Sequence, residues 1–172
     1  LGDTTKALLM YERSLAVLTT QDTRESRSVA ARTLMNVGDI HRRLGDHARA
    51  LVSLERARAE HEALGNARGA ASTLSAIGLV HHAAGEFAKA LSTQEHALAA
   101  MEALGDKAGA ARTLGSIGSV YASLGDFPRA LSLYEREMAS LDIVKGCDLA
   151  AHAGKTVTMI GWWVTGKVVE TK

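Results

Sequence analysis

A chain of 172 residues with a formal charge of +1 is long enough for one domain and carries no electrostatic footprint for nucleic acid or an anionic membrane. Apolar residues make up 47% and aromatics only 4%, an alanine-rich mix suited to close-packed helices whose small side chains let backbones approach. The single cysteine, Cys147, excludes an internal disulfide; with no leader-like stretch and no apolar run of about 20 residues, the expected location is cytoplasmic and the expected membrane contact none.

The chain opens on Leu1-Gly2-Asp3, which matches the middle of a repeat and suggests a piece of a longer array. Leu44-Gly45-Asp46, Ala84-Gly85-Glu86 and Leu124-Gly125-Asp126 stand forty residues apart. Ala50, Ala90 and Ala130 keep the same interval, and so do Gly38, Gly78 and Gly118. A fixed period of this size means stacked supersecondary units, each unable to bury its apolar face alone. Within a unit, Leu74, Ile77 and His81, then Leu114, Ile117 and Tyr121, recur at helical spacing.

In chain order the spacing predicts helices over 4–18, 28–44, 47–64, 68–84, 87–104, 108–124 and 127–141. The first linker is three residues longer than the others, with the extra length around Thr20 to Ser28. Gly45, Gly85 and Gly125 end first helices, and Gly65 and Gly105 end second helices, at the position that often needs positive φ. The acidic residue or Asn66 that follows is placed to cap the next helix, with Glu86 the weakest of the set. Pro128 falls in a first turn, where its missing N–H is not needed. Gly38, Gly78 and Gly118 lie mid-helix, where glycine costs about 1 kcal/mol against alanine, so a close crossing with the helix carrying Ala50, Ala90 or Ala130 is expected.

These residues resemble the tetratricopeptide repeat in a 40-residue form, over about residues 1–141. The pattern reads Leu114, Ile117-Gly118, Tyr121, Gly125-Asp126, Ala130 and Tyr134 in one unit, and Leu74, Ile77-Gly78, His81, Gly85-Glu86, Ala90 and Ala97 in another. Gln94 stands where an aromatic is usual and Glu137 where alanine is usual. The resemblance implies an all-α, right-handed α-solenoid of antiparallel helix pairs over residues 1–144, with a concave groove lined by first helices.

By helical phase, the side chains offered to that groove are Arg32, Met35, Asn36, Asp39 and Arg43; then Ser72, Ser75, Leu79 and His82; then Arg112, Ser116 and Ser119. A solvated polar face accounts for any one of them equally well. Arg32, Asn36 and Arg43 carry the sharper chemistry, because guanidinium forks onto carboxylates and an amide pairs with a peptide backbone. Arg24, Arg27, Arg42, Arg49, Arg56 and Arg58 add to the basic character here, so an acidic partner segment is expected. The expected function is a protein-interaction scaffold receiving a peptide or helix. A sensing module of a larger bacterial signalling or transcription protein is the second reading, and self-association through the repeat ends a further partner expectation.

No catalytic, metal or cofactor site is expected. Gly154-Lys155-Thr156 lacks the glycine five positions earlier that a phosphate loop needs, since Leu149 is there. His81 and His82 face different ways on a helix. His61-Glu62 begins a metalloprotease-like string, but Gly65 stands where the second histidine belongs. Beyond the repeats, residues 145–172 are β-prone, with Val157, Ile160, Trp162, Trp163 and Val168. Residues 154–172 resemble the start of the OB-fold domain of bacterial DNA polymerase III alpha subunits, carried by Gly154-Lys155-Thr156-Val157-Thr158 and Ile160-Gly161. That would make nucleic-acid binding through the tail a third reading; a short hairpin at Thr165-Gly166, or a junction of unrelated reading frames near Lys145-Gly146, are the alternatives.

Overall fold

The structure, a computed structural model, describes residues 2–18 and 20–140. Among these residues seven helices follow one another with no strand: α1 (Gly2–Leu18), α2 (Arg24–Arg43), α3 (His47–Ala63), α4 (Ala67–Ala83), α5 (Phe87–Ala103), α6 (Lys107–Ser123) and α7 (Phe127–Ser140). The β-prone segment, its barrel-like resemblance and Cys147 lie outside the described residues.

The five turns from α2 to α7 are built alike. At Leu44-Gly45-Asp46, Gly45 takes φ 78°, its N–H bonds the Arg42 carbonyl at 3.0 Å, and the Asp46 N–H bonds the His41 carbonyl at 2.9 Å. This paired closure of a helix C-terminus needs a left-handed residue, hence glycine. The same two bonds recur at Gly65, Gly85, Gly105 and Gly125. The residue after each glycine then opens the next helix: Asp46, Asn66, Asp106 and Asp126 each accept a backbone N–H three residues on, at 2.9–3.2 Å. Glu86 makes no such cap. Its longer carboxylate instead meets His81 Nδ1 at 2.6 Å and Lys89 Nζ at 2.9 Å.

Helix α2 starts at Arg24, four residues before the expected position, and is longer than α4 and α6. The extra linker residues are absorbed as an added helical turn because Thr23 and Ser26 form a reciprocal capping box, each side-chain oxygen accepting the other's backbone N–H at 3.0 Å. The added turn is anchored on the far end of α3, its partner in the same helix pair. Arg24 donates to the Leu64 carbonyl at 2.9 Å, and Arg27 pairs with Glu60 at 2.8 Å.

Each helix packs on the next in sequence, but the two layers differ. The backbones of α2 and α4, and of α4 and α6, approach within 8 Å, whereas α3 and α5, or α5 and α7, do not. The stack is therefore tighter along α2, α4 and α6, which makes that layer the inner side of the curve. Within a pair, the mid-helix glycines bring the two layers together. A Cβ built on Gly38 would lie 2.6 Å from Leu54 Cγ, one on Gly78 2.8 Å from the Gln94 side chain, and one on Gly118 2.9 Å from the Tyr134 ring. Ala50, Ala90 and Ala130 are buried opposite them. Glu137 fits where alanine is usual because Gly115 leaves room: a Cβ there would stand 2.5 Å from its carboxylate.

Candidate partner-binding groove

Thr33, Thr73 and Thr113 begin the inner face. All three are buried, and each hydroxyl bonds the carbonyl four residues back, at 2.8–3.0 Å. Their hydroxyls are thus consumed within the helix, and the flanking positions form the surface.

Two open recesses lie along this layer, one repeat apart. The first, of about 560 Å³ between α2 and α4, is lined by Arg32, Met35, Asn36, His61, Arg68 and Ser72 among others. The second, of about 320 Å³ between α4 and α6, is lined by Ser72, Ser75, Leu79, Met101, Arg112 and Ser116 among others. Ser72 borders both, so the two form one continuous groove. Of the residues the sequence offers, the recesses gather Arg32, Met35, Asn36, Ser72, Ser75, Leu79, Arg112 and Ser116. Four others lie outside both linings. Asp39 pairs with Arg42 at 2.7 Å. Ser119 meets Tyr134 Oη at 3.1 Å, turned toward the outer layer. His82 Nε2 meets Ser123 Oγ at 2.8 Å, bridging the ends of α4 and α6. Arg43 is exposed on the last turn of α2.

The basic character of this region is smaller than the residue types suggest. Arg27, Arg42, Arg49 and Arg58 each hold an acidic side chain of this chain, and Arg24 holds a backbone carbonyl. Arg32 and Arg112 are exposed on the groove itself.

Sequence reasoning passed over the groove's floor. His61, at the end of α3, is only 2% exposed and lines the first recess. Its Nδ1 lies 3.1 Å from Asn66 Nδ2. Burial pushes the imidazole below its ordinary value of 6.5, outweighing the opposing pull of Glu60. Burial lowers His82 in the same way. Met101 occupies the same repeat position as His61 and lines the second recess. The forty-residue interval equates the two, but only the tuck of the α3 and α5 ends beneath the inner layer reveals why that position matters.

The helix pairs, shared turns and inner layer define a helical-repeat protein. The tetratricopeptide repeat family profile matches residues 29–103 and 69–142, and the chain belongs to that family. Its repeats generally mediate protein–protein interaction, on scaffolds that are typically non-enzymatic. The crystal structure of BtubC (BKLC) from P. vanneervenii shares the fold, with a TM-score of 0.70 at 23% identity over 99% of this chain. This chain spans 65% of that protein's length. No curated protein sequence matches it. No cluster of three His, Cys, Asp or Glu side chains that could hold a metal occurs among the described residues, and no helix among them is long and apolar enough to cross a membrane.

Proposed function

We propose that the chain is an interaction scaffold that receives a peptide or a helix of a partner protein along the inner face of α2, α4 and α6. The observation that carries this is the pair of recesses of like construction, one repeat apart and joined at Ser72. A regular pair of recesses suits an extended segment whose side chains enter in turn, while a backbone or carboxylate is oriented by Arg32, Asn36 and Arg112. Affinity then comes mainly from the enclosed side chains, and the guanidinium groups set register.

Peptides selected from a random display library on the full chain test this reading. Fluorescence anisotropy should show that Arg32→Glu and Arg112→Glu each weaken the selected peptides by about tenfold, the size of one lost charge-assisted contact. Arg43→Glu, outside both recesses, should change affinity much less. Unchanged binding after both groove substitutions would remove the groove from the account.

A further inference from the structure

We propose that the two recesses select different side chains: the first takes a carboxylate of the bound segment on His61, and the second takes an apolar side chain on Met101. This rests on the groove reading above and adds what the groove selects.

The tautomer of His61 follows from the hydrogen bonds around it. Asn66 Oδ1 accepts the Gly69 N–H at 2.9 Å, as the cap of α4. The other end of that amide, Nδ2, therefore faces His61 Nδ1, and an NH₂ group can only donate. Nδ1 is then the acceptor, and the ring proton sits on Nε2. That nitrogen is buried and has no hydrogen-bond partner. A buried donor without an acceptor is unfavourable, and such groups in native folds call for an explanation. The ring that carries it forms part of a recess whose other walls include Arg32, Asn36 and Arg68. Arg68 is held to Asp106 at 3.3 Å with 67% of its side chain exposed, and Arg32 is exposed. Both are long rim groups able to part and admit an oxygen acceptor to Nε2. Two arginines lining the same recess as one N–H donor favour a carboxylate over a neutral amide.

The second recess has the same frame and different chemistry. A Cβ on Gly69 would lie 2.5 Å from His61 Nδ1, and one on Gly109 would lie 2.6 Å from Met101 Sδ. Each glycine thus makes room for the same floor position. The cap changes with the floor: Asn66, which can donate, accompanies His61, whereas Asp106, which cannot, accompanies Met101. Met101 is 2% exposed and packs with Ala71 and Ala110, so this floor offers a polarisable apolar surface and no hydrogen-bond donor.

The test uses random twelve-residue peptides displayed against the full chain, with the strongest binder resynthesised. That peptide should hold Glu or Asp at one fixed position. Replacing that residue with Leu should weaken binding to the wild type by about tenfold and to His61→Met, which keeps Arg32 and Arg68, by a smaller factor. Met101 already fills the equivalent place, so His61→Met has a precedent within the chain. Independently, the His61 Nε2–H resonance of the wild type should move downfield with the acidic peptide and stay in place with its Leu counterpart. An equal Leu penalty in wild type and His61→Met, or an unmoved ring resonance, overturns the carboxylate assignment while leaving the groove intact. Selected peptides that ignore Arg32→Glu and Arg112→Glu overturn both.

Discussion

The seam between α2 and α3 and the seam between α6 and α7 share a backbone plan but are sealed differently. In the first, Gly38 receives Leu54, which is 1% exposed and belongs to a cluster with Ala50, Ile77 and Val80. In the last, Gly118 receives Tyr134, which is half-buried and keeps its hydroxyl on Ser119. The middle seam takes neither course. Gln94 is fully buried on Gly78, accepts from the Ser75 hydroxyl at 2.9 Å and donates to the Ser75 carbonyl at 3.1 Å. A mid-helix glycine therefore sets how near the layers come and leaves open what fills the gap. Aliphatic, amide and phenol side chains all serve, provided any polar atom is satisfied.

The sharpest way to break this comparison is truncation. Leu54→Ala should destabilise the chain by about 2–5 kcal/mol in urea unfolding, because a fully enclosed side chain leaves a cavity. Tyr134→Ala should cost visibly less, since that ring is already partly in water. Equal losses would mean the seams are energetically alike. Filling the glycine is the next largest test. Gly38→Ala drives a methyl into Leu54 and to 3.3 Å from the Ala50 carbonyl, so overpacking of about 1–3 kcal/mol should exceed the gain in helix propensity. Gly118→Ala meets a ring that can swing outward, and should be closer to neutral. Thermal unfolding of the two variants side by side decides it.

The smallest effect concerns pH. The folded chain holds His61 below the ordinary imidazole value of 6.5, chiefly by burial. Below about pH 6.5 the unfolded chain therefore binds a proton that the folded chain refuses, so this contribution is fully present above that pH and is lost as pH falls toward the lower folded value. Wild type should lose stability between pH 7 and pH 5, and His61→Met should lose less. Parallel curves would deny the buried neutral ring.

The helices were legible because each is bracketed by residues whose chemistry is local: Gly45 for positive φ, Asp46 for the cap, Pro128 for a first turn. The start of α2 was less so. Thr23 and Ser26 are a weaker boundary signal than a glycine and an acid, and the extra turn is also held by Arg24 and Arg27 from outside the helix. Helical phase offered the inner face, yet it could not distinguish Ser72, which lines the groove, from Ser119, which bonds across to α7. Both stand half-buried beside the core phase of a helix; only the neighbour across the seam separates them. Gln94 stood out as an odd residue, but its amide has meaning only once Ser75 is set beside it. His61 drew notice only as the start of a failed metal string, since its place in the groove depends on a cap five residues on and a helix one layer away.

At four of the five glycine turns, one residue belongs to two helices at once. The Asp106 N–H closes α5 on the Met101 carbonyl, while its carboxylate opens α6 on the Gly109 N–H. Fraying at the end of α5 must therefore loosen the start of α6, and likewise at Asp46, Asn66 and Asp126. Amide protons on either side of such a turn should exchange with solvent together, in blocks that straddle the corner. The cooperative parcel of this fold is then a bend with its two half-helices, offset by half a unit from the repeat that the eye marks out.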